Sequence, residues 1–133
     1  MPKKHLKKIE LSDGIILDVW DVSRVVAGDR WFVRFEVSGD IPVKREYFDI
    51  VKDDEAAFEE TQKVFGASIR YEYKRERIFI DKKVKDEVFQ DLLTIFEESV
   101  LPYMSRSDFF KKFVVSKYID LKRDPYKYQK ASN

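Results

Sequence analysis

The sequence predicts an α+β fold, in which an N-terminal antiparallel β-meander is followed by helices that pack on the sheet. Two observations lead to this prediction. Residues 6–50 alternate between apolar and polar side chains, as half-buried strands do, and short turn sequences interrupt them. Most of residues 53–123 instead shows the spacing of amphipathic helices. Because strands come first and helices mostly later, we expect about four strands, a further strand or hairpin near 68–80, and three helices packed on the sheet.

The N-terminal strands are predicted from this alternation and from the turns between them. Their predicted spans are 6–11, 15–22, 31–37 and 43–50. The first turn is the dipeptide Asp13-Gly14, which is typical of a tight hairpin. Gly28 and the tripeptide 38–40 mark the next two turns, and Pro42 fits the start of the last strand or a sheet edge. The third strand alternates most clearly, with a predicted core face formed by Trp31, Val33, Phe35 and Val37.

The helices are predicted from apolar residues that recur every three or four positions. The longest helix covers about residues 82–101, with Asp81 as its N-cap, and Pro102 ends or kinks it. Residues that favour helix ends bound the other two helices: the acids at 53–55 and Gly66 for the first, and Ser107 or Asp108 and Asp124-Pro125 for the last.

The length favours a single domain over residues 1–133, because a second domain would have little room. We expect a basic N-terminal leader of about residues 1–5 and a polar basic C-terminal tail of about 124–133. The composition, 44% hydrophobic and 38% charged, describes a packed core under a heavily charged surface.

The chain is poor in the residue types that most often carry chemistry. It has no cysteine, four isolated glycines and a single histidine, His5, in the lysine-rich leader. Disulfides and thiolate metal sites are therefore excluded, and no phosphate-binding glycine loop is present. We interpret His5 as a solvated leader residue. The sequence thus predicts no catalytic residue, no metal ligand and no cofactor.

The apolar segments are short, which bears on the location of the protein. None is long enough to cross a membrane, and the first residues lack the apolar stretch of a secretory signal. We therefore expect a cytoplasmic protein with no membrane contact.

A candidate interaction surface lies on the strand faces opposite the predicted core. Trp20 and Phe32 fall on these faces, and Arg34 follows Phe32 on the same side of its strand. Exposed tryptophan, phenylalanine and arginine are enriched at protein interfaces. The sequence leaves two alternatives open: helices from the second half cover these rings, or a partner does.

A candidate basic patch lies near the C-terminus. The net charge of +1 is unevenly distributed, with +3 on residues 1–10, −7 on 11–98 and +5 on 99–133. The patch combines cations with tyrosines: Lys117, Lys122, Arg123, Tyr126, Lys127 and Tyr128. Such a mixture can contact phosphates and stack on the bases of a single strand. It is also typical of a solvated helix face followed by a tail whose tyrosines dock on the body, which is the favoured interpretation.

The favoured functional hypothesis is a non-catalytic binding or protein-interaction module. Its partner is another protein or a second copy, with a homodimer formed through a sheet edge or through the Trp20 and Phe32 face. One alternative is a nucleic-acid-associated protein that uses the basic C-terminal helix and tail. A second alternative is an enzyme whose carboxylates converge only in the fold.

Overall fold

The computed structural model describes residues 3–129. These residues divide into two compact units, the first formed by 3–39 and 71–105 and the second by 40–70 and 106–129. The expected single domain over residues 1–133 stays a prediction. Within the described part of the chain, no helix is both long and apolar enough to cross a lipid bilayer.

The strands form an antiparallel sheet, which confirms the predicted α+β class. They are β1 (Lys4–Glu10), β2 (Ile16–Asp21), β3 (Arg24–Ala27), β4 (Arg30–Pro42) and β5 (Ser68–Asp81). β1 pairs with β2, while β2, β3 and β5 all pair with β4. β2 and β3 keep one register along β4 as far as Val25, because Asp21 lies opposite Phe35 and Arg24 lies opposite Phe32, and the register shifts between Val25 and Ala27. They therefore act as one interrupted strand, and the sheet is meander-like.

The interruption between β2 and β3 has a local cause in the side chain of Ser23. The Ser23 N–H donates to Asp21 Oδ1 at 2.9 Å, and the Arg34 N–H donates to Ser23 Oγ at 3.0 Å. The Ser23 hydroxyl thus accepts a hydrogen bond that a backbone carbonyl would accept in regular strand pairing. Such bonds from side chains compete with the backbone bonds of a sheet. The register survives because Val22 still donates its N–H to Arg34 O.

The predicted helices are present, although the longest is divided. The α-helices are α1 (Asp54–Phe65), α2 (Lys85–Ile95), α3 (Leu101–Met104), α4 (Phe109–Arg123) and α5 (Tyr126–Gln129). Asp81 caps its helix as predicted, since Lys83 donates its N–H to Asp81 Oδ1 at 2.9 Å. A π-helical turn, Phe96–Val100, separates α2 from α3. Pro102 gives the reason, because it has no N–H to continue the regular bonding.

The prediction of a turn at residues 38–40 was wrong, because β4 runs through this tripeptide without a break. Gly39 is needed there for a close approach between strands. A Cβ at Gly39 would lie 2.7 Å from Ile16 O and 2.8 Å from Leu17 Cδ2. The glycine therefore marks a tight contact with β2 instead of a change of chain direction.

The prediction of a strand over residues 43–50 was also wrong, because Arg45–Phe48 forms a 3₁₀ helix. Two neighbouring residues, Tyr47 and Phe48, are both buried. A strand with one covered face cannot bury two consecutive side chains on that face. The short helix solves this problem by turning both rings inward.

The two ends of the described chain are more ordered in the structure than the sequence suggested. Lys4 and His5, expected in the leader, belong to β1. Residues 126–129, expected in the tail, form α5, and the Tyr128 hydroxyl donates a hydrogen bond to Asp120. Residues 1–2 and 130–133 of the expected leader and tail lie outside the described residues.

Each unit has its own aromatic contacts. In the first unit, Phe35 on β4 packs against Phe89 and Phe96, with ring centroids 6.4 and 5.5 Å apart. The predicted core face of β4 is buried at Val33, Phe35 and Val37. In the second unit, Phe48 contacts Phe58 of α1 and Tyr118 of α4.

Candidate interaction surface

The first unit's sheet has two unlike faces. The inner face is the one that carries Phe35 and packs against α2. The outer face carries the alternate residues of the same strands, including Trp20, Phe32 and Arg34, all of which are half-buried. The structure therefore places all three predicted interaction residues on one side of the sheet.

Around Trp20, the outer face is built from β1 and β2. The rings of His5 and Trp20 are nearly perpendicular with centroids 4.8 Å apart, and Lys3 Nζ lies 5.9 Å from the Trp20 ring centroid. His5 Nε2 lies 2.9 Å from Asp18 Oδ1, and Lys8 Nζ lies 3.4 Å from the same oxygen. The hydrogen bond from His5 is the main reason that the pKa of the Asp18 carboxyl lies below its ordinary value. His5 therefore belongs to β1, while its side chain stays exposed, as expected for a solvated residue.

Two guanidinium groups lie over the ring of Phe32 on the outer face. Arg24 Cζ lies 5.1 Å and Arg34 Cζ 6.0 Å from the centroid of the Phe32 ring. Arg34 also bonds Glu36 at 2.7 Å and lies 3.7 Å from Glu76, but its buried Nε finds no acceptor among residues 3–129. Within the same residues, no carboxylate forms an ion pair with Arg24.

A β-bulge in β5 adds Phe79 to the outer face, next to Ile78. Arg77 and Ile80 both line a groove with α2 on the inner side, although an odd spacing should put them on opposite faces. The alternation must therefore break between them, and Phe79 supplies the break with a φ of 59°. Alternation assigns Ile78 to the outer face, and Arg30, which shares that face, lies 5.8 Å from the Phe79 ring.

The outer face carries its most exposed apolar side chains on β5. Ile78 and Phe79 are 70% and 64% exposed. We call these two residues, together with Phe32, the apolar cluster. Val26 of β3 is also exposed, but the register of β3 against β4 shifts between Val25 and Ala27, so alternation does not assign Val26 to a face. Sequence reasoning missed Ile78 and Phe79. The run of apolar residues at 78–80, which breaks the alternation, was the one signal that could have found the bulge.

The predicted basic patch is not brought together as one surface. Lys122 faces α1 and bonds Glu60 at 3.2 Å, whereas Lys117 and Arg123 line a separate depression with Asp120. Lys117 also lies over the ring of Phe113.

The tail residues of the basic patch fold back toward Asp120. Lys127 bonds its carboxylate at 2.9 Å, and the Tyr128 hydroxyl donates to the same oxygen. These bonds, that of Tyr128 first, lower the pKa of Asp120, while burial raises the pKa of Tyr128. Tyr126 is exposed. Three of the four cations in the patch thus already contact a carboxylate or an aromatic ring of the same unit.

No metal-binding cluster is found, within the limits of the described chain. Among residues 3–129, no three histidine, aspartate or glutamate side chains lie close enough to hold a metal ion. The enzyme alternative stays a prediction.

The comparisons with known proteins give no family. The chain matches no family of proteins, no curated protein and no solved structure at a significant level. The fold assigns the chain to the class of α+β proteins with an antiparallel sheet. A fold of this class does not by itself imply a function.

Proposed function

We propose that this protein is a protein-interaction module and that the outer face is its contact surface. The observation that supports the proposal most is the apolar cluster, in which Ile78 and Phe79 are exposed on the same face as the half-buried Phe32 ring. Scattered exposed apolar residues are ordinary, but a contiguous group on one face is typical of a binding surface.

The residues around the apolar cluster suit a protein partner. Arg24, Arg30 and Arg34 surround it, and acidic side chains such as Glu36 and Glu76 lie beside these arginines. Interfaces combine an apolar and aromatic centre with a polar rim of this kind. The charges of both signs would fix the orientation of the partner.

The nucleic-acid alternative stays a prediction with less support. The side chains of its predicted residues do not form one surface. Lys122 pairs with Glu60, and Lys127 pairs with Asp120. A surface that neutralises several phosphates needs cations that face one track. The cytoplasmic location expected from the sequence also stays a prediction.

The proposed function can be tested with three immobilised versions of the full chain as baits. The test variant is Phe32→Ala, and the control is Tyr103→Ala, which removes an exposed aromatic side chain from α3. We expect at least one protein to be retained by the wild-type and control baits and lost from the Phe32→Ala bait. The purified pair should then bind directly in calorimetry. Identical retention by all three baits would contradict the proposal.

A further inference from the structure

We infer that the occupant of the outer face is a second copy of this chain, docked face to face about a two-fold axis parallel to β4. This inference rests on the proposed function and names the partner. It follows from the arrangement of apolar and charged side chains on either side of β4.

The apolar cluster is compatible with this symmetry. Ile78 and Phe79 lie on β5, and Phe32 lies on β4 between β5 and β3. A two-fold axis parallel to β4, placed between two stacked sheets, preserves the direction of the strands and exchanges their sides. β3 of one copy then lies over β5 of the other. Ile78 and Phe79 of each copy thereby lie over β3 of the other, and each Phe32 ring lies opposite its own symmetry mate.

The same axis also brings opposite charges of the two copies together. Arg24 on β3 has no carboxylate partner within residues 3–129, whereas Glu76 on β5 has one long contact, 3.7 Å to Arg34, and a side chain that is 45% exposed. The axis brings Arg24 of each copy toward Glu76 of the other. Isologous interfaces require this kind of reciprocal pairing. The reciprocal pair of charges and the central position of Phe32 therefore favour the same axis.

The residues of β4, which lie closest to the axis, do not oppose the docking. Arg30 bonds Asp81 at 3.2 Å, and Arg34 bonds Glu36 at 2.7 Å. Each arginine that approaches its symmetry mate is therefore already paired with an acidic residue of its own copy. As a result, unpaired like charges do not meet on β4.

The edge of the sheet at β5 is a poorer site for self-association than its outer face. The outer edge of β5 carries the run 74–77, which contains three cations and one acid, followed by the bulge at Phe79. Charged residues and bulges protect exposed edges from the addition of another strand. We therefore place the second copy on the face.

The test exchanges the two charges that the symmetry brings together. Sedimentation velocity over a range of concentrations measures self-association of the wild type, of Arg24→Glu, of Glu76→Arg and of an equimolar mixture of the two variants. We expect the wild type to dimerise and each variant alone to associate at least about 10-fold more weakly, because like charges meet twice. The mixture should recover a dimer. In that mixed dimer one contact is the native pair and the other is the same pair with its charges exchanged.

A second pair of variants guards against changes in folding, since Glu76→Arg also removes a neighbour of Arg34. Ile78→Ser removes an exposed apolar side chain from the outer face, and Ile119→Ser makes the same change on α4. We expect Ile78→Ser to weaken the dimer and Ile119→Ser to leave it unchanged, with thermal unfolding similar in both.

Two results would overturn the inference. A wild type that is monomeric at all concentrations excludes the second copy, and a dimer that withstands Arg24→Glu and Ile78→Ser excludes the outer face as its contact. If the monomeric chain still retains another protein that Phe32→Ala loses, the proposed function stands and only this inference fails.

Discussion

The two faces of β4 carry residues of the same strand, but they are covered in different ways. Val33, Phe35 and Val37 on the inner face are buried, and Phe35 packs against aromatic rings that follow β5 in the chain. On the outer face, Phe32 is half-buried and its ring is approached by arginine side chains from β3 and β4. Alternation along a strand therefore separates two faces, while distant parts of the chain decide which face becomes core.

The largest expected effect is on stability, and it should differ between variants of the inner and the outer face. Phe35→Ala on the inner face should lower the free energy of unfolding by about 3–5 kcal/mol, because it leaves a cavity beneath α2. Phe32→Ala on the outer face should cost about 1–2 kcal/mol, since part of its ring already contacts water. Urea denaturation of both variants measures the difference. Equal losses would remove the distinction between the faces.

Gly39→Ala should have the next largest effect. The added methyl group would overlap Ile16 O and Leu17 Cδ2, and a backbone oxygen cannot move aside without shifting β2. We expect a loss of roughly 1–3 kcal/mol in the free energy of unfolding. A variant as stable as the wild type in urea denaturation would show that β2 and β4 are not held this close.

Local signals in the sequence predicted much of the fold. The Asp13-Gly14 turn is present, with both residues at positive φ, and Asp81 caps its helix. Gly39 misled the prediction, because a glycine required by the approach of another strand looks the same in the sequence as a glycine in a turn. The strand expected over 43–50 failed for a similar reason, since the burial of Tyr47 and Phe48 is decided by the second unit's packing.

The candidate surface was only partly predictable. Alternation was enough to assign Trp20, Phe32 and Arg34 to the outer face. It could not assign Phe79, because the bulge changes the face on which each following residue lies. Arg34 and Glu76 meet only because β5 pairs with β4, and no local pattern encodes that pairing.

A smaller effect on the outer face should depend on pH. The hydrogen bond from His5 holds the pKa of Asp18 below its ordinary value of 3.8, so folding favours the ionised carboxylate. Its stabilisation is fully present above the unfolded pKa and is lost as the pH falls through the lowered folded pKa. Asp18→Asn should therefore cost up to about 1 kcal/mol at pH 6, and the difference from wild type should shrink below pH 3.8.

His5→Ala provides the control for this pH effect. In the His5→Ala background, Asp18→Asn should lose most of its pH-dependent effect on the free energy of unfolding, since the His5 bond is the main cause of that effect. Urea denaturation at several pH values measures the wild type, the two single variants and the double variant. A cost of Asp18→Asn that stays constant with pH would contradict the role of the His5 and Asp18 pair.

The smallest effects are expected in the second unit's basic segment. Lys122→Ala should change the free energy of unfolding by less than about 1 kcal/mol, because its ion pair with Glu60 is exposed. A fluorescent single-stranded oligonucleotide should show no saturable binding to the wild type at low salt, where phosphate contacts are strongest. Oligonucleotide binding that weakens with added salt and with Arg123→Ala would favour this basic segment, and not the outer face, as the functional surface of the protein.

The most direct test of the outer face as a protein contact is isotope-filtered NMR on a mixture of ¹³C-labelled and unlabelled chains. Only contacts between different copies give signals in this experiment. The proposed dimer predicts signals that join the Ile78 methyl groups and the Phe79 ring of one copy to side chains of β3, such as Arg24, in the other. A dimer whose intermolecular signals come from α4 or from the free edge of β5, with none from the apolar cluster, would contradict it.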